Sequence, residues 1–207
     1  FESKKIMNLL NKPIDHTISY LKQHKDYLIS RKKLVDHILD EYIKKDLKSV
    51  GISFDNWFYE SSLYTSGLLD KVLKDIDNRN LSYEKDGALW FKNTKFGEEK
   101  DRVLKKSNGD MTYFATDIAY HIHKFNNYEL LIDIWGADHH DYAVRLKTAL
   151  SSLDYDVNNR LQIHLVQFAN LVKSGESLSM STRSGEFYAI DELVKEVGAD
   201  ATRYFYL

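Results

Sequence analysis

Several residue types and patterns are scarce in this 207-residue chain, and each scarcity removes a class of function. Cysteine is absent, which excludes a disulfide framework and a thiolate zinc site and suits a reducing compartment such as the cytoplasm. The single proline, Pro13, leaves the helical patterns uninterrupted and provides no proline-rich linker. No apolar run approaches the roughly 18 residues that a bilayer span needs, so no membrane role is expected. Neither sign of charge dominates: 29 Lys and Arg stand against 31 Asp and Glu, so a uniformly basic nucleic-acid surface is excluded. Only the first 48 residues lean basic, with 11 Lys/Arg against 7 Asp/Glu, read either as a solvated helix face or as a contact for nucleic-acid phosphates. An initiator Met and a signal pattern are also missing from the opening "FESKKIMNLL", and the final "GADATRYFYL" reads as helix, so the expectation is a fragment of a longer protein.

What is present is an ordered series of elements. Leu34, Val35, Ile38, Leu39, Tyr42, Ile43 and Leu47 recur at helical spacing over 34–47, with Gly51 as the stop. A second helix is expected over 62–77, where Leu63, Leu68, Leu69, Val72, Leu73 and Ile76 share a face. Residues 80–114 then change texture, with short β-prone stretches separated by Asp-Gly and Asn-Gly turn signals. From there helix and strand alternate: "TDIAYHIHKF", apolar "LLIDIW" at 130–135, "DYAVRLKTALSSL", "LQIHLVQF" at 161–168, a polar loop and "IDELVKEVG". That alternation predicts an α/β fold with a parallel sheet.

Three clusters carry candidate chemistry. "GADHHD", 136–141, follows an expected strand and precedes a helix, which is where open α/β sheets bind ligands. Gly136 lets backbone approach a ligand and Asp138 can accept from ribose hydroxyls, but "DHHD" also offers metal ligands and resembles the motif of manganese phosphoesterases. Those need a second acidic pair, for which only Asp75/Asp77 and Asp154/Asp156 qualify, and neither follows an apolar strand. Tyr113 and Asp117, four residues apart, would put a phenol and a carboxylate on one side of a helix, suited to a guanidinium. The alternative is a packed tyrosine beside a helix cap. The third cluster, serine-rich residues 173–187 around Arg183, is either a phosphate-binding loop or a polar surface loop.

In this order the phrases "DGALWF", "DRVL", "TYFATDIAYH", "WGADHHDYAVRLKTAL", "SMSTRSGEF" and "DELVKEVGADATRYFYL" resemble the catalytic domain of arginyl-tRNA synthetases, class I aminoacyl-tRNA synthetases. The resemblance is strongest from Ser82 to Leu207. It implies the second half of a Rossmann-type parallel-sheet nucleotide-binding domain with a helical and small-β insertion. Residues 1–110 would form the helical segment and inserted region, and 111–207 the C-terminal half of the catalytic domain. It further implies that Tyr113, Asp117 and His139 bind arginine, and that Gly136, Asp138, His139, Met180 and Ser181 bind ATP. Partners would be arginine, ATP with Mg2+ and tRNA(Arg), in a cytoplasmic monomer with no structural metal.

Two features depart from the family. Its Lys-Met-Ser-Lys loop is here Ser179, Met180, Ser181 and Thr182, so both lysines are missing. Ser181 and Arg183 are then the expected catalytic residues, with Arg183 and a lysine upstream of Phe1 expected to share the supply of charge as pyrophosphate leaves. No His-Ile-Gly-His-like element occurs, and it is expected upstream of Phe1. Trp57, Trp90, Tyr59 and Phe91 are expected to build the small core of the insertion or to stack unpaired tRNA bases. A noncatalytic tRNA-binding relative is the remaining alternative, favoured by the missing lysines.

Overall fold

The helical spacing of the first segment is realised, but with little burial. In the computed structural model, which describes residues 27–167, 172–173, 176–177 and 189–206, helix α1 (Tyr27–Ile38) passes through a π-turn at Leu39–Ile43 into α2 (Lys44–Ser49). Charged pairs four residues apart, Lys44 to Asp40 at 2.6 Å and Lys45 to Glu41 at 2.5 Å, line this run. Its apolar stripe is only half-covered, and Val35, Tyr42 and Ile43 are exposed. The chain forms two compact units: Phe1–Asp55 together with Asn170–Leu207, and Asn56–Ala169.

The second unit opens with α3 (Ser61–Thr65) and α4 (Leu68–Asn78), where the spacing predicts one helix. The break lies at Gly67, whose φ of +71° is left-handed and whose N–H donates to the Tyr64 carbonyl at 3.1 Å. Such a conformation ends a helix and suits glycine. Leu63, Leu69, Val72 and Ile76 nonetheless face one core.

Strands β1 (Ser82–Lys85), β2 (Ala88–Phe91) and β3 (Arg102–Lys105) form an antiparallel sheet in that order. Asp86 and Gly87, with φ +53° and +73°, make the tight hairpin turn that Asp-Gly specifies. Phe91 and Leu104 are fully buried, whereas Trp90 is half-buried against Tyr83 at 6.4 Å.

Helix α5 (Tyr113–Asn127) is capped by Thr112, whose hydroxyl accepts from the Ala115 N–H and donates to the Val103 carbonyl at 2.7 Å. One cap thus ties the helix start to β3. Buried Phe114, Ile118, Ile122 and Phe125 recur three or four apart along its inner face. Strand β4 (Leu131–Gly136), a short 3₁₀ turn at Ala137–His139, α6 (His140–Ser152), α7 (Val157–Arg160) and β5 (Leu161–Val166) follow. β4 and β5 pair in parallel from Leu131 with Leu161 to Gly136 with Val166. Leu131, Leu161 and Trp135 face the core, but Ile132, Ile134 and Val166 are 56%, 72% and 51% exposed.

Past β5 the structure describes a two-residue antiparallel pairing of β6 (Val172–Lys173) with β7 (Glu176–Ser177), then α8 (Ile190–Val197) and α9 (Ala199–Tyr206). Within the first unit, Arg203 of α9 donates to the carbonyls of Val50 and Gly51 at 3.2 and 3.1 Å. Gly51, at φ +71°, closes α2, with the Ile52 N–H on the Leu47 carbonyl. A Cβ there would stand 2.5 Å from the Arg203 guanidinium. The left-handed turn calls for glycine, whereas the Arg203 side-chain end could shift to admit a Cβ.

Candidate functional site

Asp117 lies one turn into α5, where helical phase turns it toward the segment before α3. With Phe58, Glu60, Leu63, Thr116 and Tyr120 it lines a cavity of about 210 Å³. Phe58 and Tyr120 stack there at 4.4 Å between ring centroids. The Asp117 carboxylate is half-buried and accepts a hydrogen bond from the Tyr142 hydroxyl of α6. Burial raises its proton affinity above the ordinary carboxylate range. The Tyr142 bond and the positive charges of His121 and Lys124 pull the other way, and the negative charge of Glu60 adds to the rise. Tyr113 starts the same helix with its ring 82% exposed. The phenol that reaches Asp117 is therefore that of Tyr142.

One turn further on, α5 carries a second carboxylate partner. His121, only 2% exposed, has Nδ1 at 2.7 Å from the Asp117 carbonyl and Nε2 at 2.6 Å from Oδ2 of Asp133 on β4. Lys124 donates to the other Asp133 oxygen at 2.5 Å. Burial alone would raise the Asp133 proton affinity, yet these two donors hold it below the usual range. An ionised Asp133 can only accept, so Nε2 of His121 is the donor to it. The Lys124 ammonium also stands 4.9 Å from the Tyr120 ring centroid.

The cluster at 136–141 sits where the sequence places it, between the end of β4 and the start of α6. Gly136 has φ −64° and ψ 147°, ordinary extended backbone that does not require glycine. The side chains of Asp138 and His139 are 57% and 56% exposed and 3.7 Å apart. The His139 ring packs edge-on to Trp135 and Tyr142, each at 6.3 Å. His140 turns to Asp141 at 3.2 Å, both well exposed. Among the described residues no three His, Asp or Glu side chains are grouped to hold a metal ion.

The acidic pairs that a phosphoesterase would need are engaged elsewhere. Arg79 binds Asp75 at 3.0 Å and Asp154 at 2.5 Å. Asp77 accepts from Ser82, and Asp156 caps α7. Ser179, Met180, Ser181, Thr182 and Arg183 lie outside the described residues. Sequence reading missed Glu60, Tyr142 and the His121–Asp133–Lys124 group. The signal for the last was legible: a lone aspartate inside the apolar run "LLIDIW" demands a buried cationic partner.

Comparison with known proteins identifies the family. The family described as tRNA synthetases class I (R), catalytic domain, matches residues 8–205. The arginine–tRNA ligase of Hydrogenovibrio crunogenus is 50% identical over 182 residues, 87% of this chain and 30% of that protein. That of Nitrosomonas eutropha is 49% identical over 165 residues, 79% of this chain and 28% of that protein. The chain thus spans under a third of the length of these curated relatives. A solved Campylobacter jejuni structure assigned as an arginyl-tRNA synthetase superposes with a TM-score of 0.72 at 35% identity, covering 92% of this chain and 43% of the other. The Thermus thermophilus arginyl-tRNA synthetase, at 18% identity and a TM-score of 0.61 over 88% of this chain and 39% of the other, shares the fold. That fold is α/β with a parallel sheet, and the chain belongs to the class I (R) tRNA synthetases, in their catalytic domain.

Proposed function

We propose that this chain is part of an arginine–tRNA ligase, which activates arginine with ATP and passes it to the 3′ end of tRNA(Arg). One observation carries the reading: the cavity where Asp117 and Glu60 set two carboxylates beside the stacked rings of Phe58 and Tyr120. Burial and a neighbouring carboxylate leave Asp117 short of positive charge. A guanidinium supplies that charge in a planar fork and lays its faces on aromatic rings. Lysine offers only a point charge, and citrulline none, so both are disfavoured.

In this reading Tyr113, Asp117 and His139 hold arginine. Gly136, Asp138 and His139 contact ATP with Met180 and Ser181. An oxygen of the arginine carboxylate attacks the α-phosphorus in line as the bond to pyrophosphate breaks, and a ribose hydroxyl of tRNA then takes the arginyl group as AMP leaves. Positioning and charge do this work, with no covalent nucleophile from the protein. Ser181 and Arg183 serve the departing phosphates, Arg183 sharing with an upstream lysine the charge of the missing signature lysines. Magnesium enters as part of the MgATP substrate, screening the charge of the phosphates.

Residues 111–207 are assigned to the second half of a Rossmann-type domain and 1–110 to a helical segment and insertion. Parallel sheets are covered on both faces, and the exposed Ile132, Ile134 and Val166 support further sheet and helix beside β4 and β5 in the complete protein. The complete protein is assigned to the cytoplasm as a monomer; no helix among the described residues is long and apolar enough to cross a membrane. The test is exchange of pyrophosphate into ATP by the complete protein, with each of the twenty amino acids and with or without tRNA. Exchange with arginine alone, and only when tRNA is bound, is the expected result. Binding of ATP and tRNA without any exchange would favour the noncatalytic relative that the missing lysines suggest.

A further inference from the structure

Tyr142 is the side chain that joins the two halves of the site. Its ring lies 5.8 Å from Trp135, 6.3 Å from His139 and 6.4 Å from Phe114, with the Arg145 guanidinium 5.8 Å from its centroid. Packing on these sides fixes the ring. The hydroxyl donates to Oδ2 of Asp117.

We infer that Tyr142 is a positioning residue for amino-acid specificity, setting the plane of the Asp117 carboxylate that faces the cavity. The inference rests on the proposal that Asp117 holds the guanidinium. The last torsion of an aspartate is broad and roughly two-fold, so helix geometry alone places the carboxylate without orienting it. A planar fork requires orientation, because two parallel N–H groups must meet two oxygens in one plane. The Tyr142 bond supplies it and still leaves acceptor capacity on both oxygens.

A second consequence separates this role from mere packing. The groups acting on Asp117 are Tyr142 from α6, His121 and Lys124 from its own helix, and Glu60 from the segment before α3. The Tyr142 hydrogen bond favours the ionised carboxylate, as do His121 and Lys124, whereas burial and Glu60 oppose it. Arginine requires the ionised form. Removing the hydroxyl therefore moves the acid limb of arginine kcat/KM to higher pH.

The test is Tyr142→Phe in the complete ligase, which keeps the ring contacts and deletes one oxygen. Arginine KM should rise about tenfold, the scale of a lost hydrogen bond to a charged group, while the KM for ATP and kcat stay within about twofold of the parent, a KM-against-kcat split that marks lost ground-state positioning. The acid limb should move up in the same variant. An unchanged arginine KM with an unmoved limb overturns the inference and leaves the ligase reading standing. Equal increases in the KM for ATP and for arginine also overturn it, since they mark general damage. If Asp117→Asn leaves arginine KM unchanged, the reading of Asp117 and this inference fall together.

Discussion

Asp117 and Asp133 stand on either side of His121, and burial pushes the proton affinity of both upward. Their outcomes are opposite. Asp133 receives His121 on one oxygen and Lys124 on the other, and ends below the ordinary carboxylate range. Asp117 receives one neutral phenol, faces Glu60 across a cavity, and ends above it. The first carboxylate is complete within the fold. The second is the charge site that the proposed reading assigns to arginine, since carboxylates with perturbed proton affinity gather at functional sites.

The comparison can be broken from either end. The largest effect is expected from Asp117→Asn, which should raise arginine KM at least about tenfold, within the roughly 2–5 kcal/mol that truncating a charge pair costs; aminoacylation kinetics of the complete protein measure it. Asp133→Asn should instead cost stability, about 3 kcal/mol, by leaving His121 and Lys124 without their carboxylate, as read by urea unfolding. The pH behaviour should split as well. The Asp133 contribution is present above its unfolded-state value and is lost only as pH falls through its depressed folded value. Arginine affinity, which needs ionised Asp117, should fall at a higher pH, through that residue's raised value. A common pH midpoint for stability loss and affinity loss would erase the distinction. The smallest effect is a control in the other unit: Gly51→Ala, strained at φ +71°, should lose about 1 kcal/mol of stability. It should leave arginine KM alone.

Much of this was legible in the sequence where a local rule had no competitor. Asp86-Gly87 folds as the hairpin turn its type demands, and the alternation after 114 yields the parallel pair β4 and β5. Two elements came out differently for physical reasons. Gly67 adopts a left-handed conformation and divides the helix expected over 62–77. The stripe over 34–47 keeps its period but gains little cover, since periodicity records which residues share a face and not what lies against it. The chemistry at Asp117 depends on Tyr142, twenty-five residues later on another helix, and on Glu60, fifty-seven residues earlier. Spacing along one helix pairs Tyr113 with Asp117 but carries no information about partners from other elements. Packing of α6 against α5 brings the second phenol in.

The central claim is that the cavity at Asp117 recognises positive charge on a planar group. Arginine and citrulline are nearly the same shape and differ in that charge, so the decisive measurement is the ratio of their kcat/KM values in parent and Asp117→Asn ligase. A strong preference for arginine that falls at least about tenfold in the variant is the predicted result. An arginine-to-citrulline ratio that survives the substitution would contradict the account.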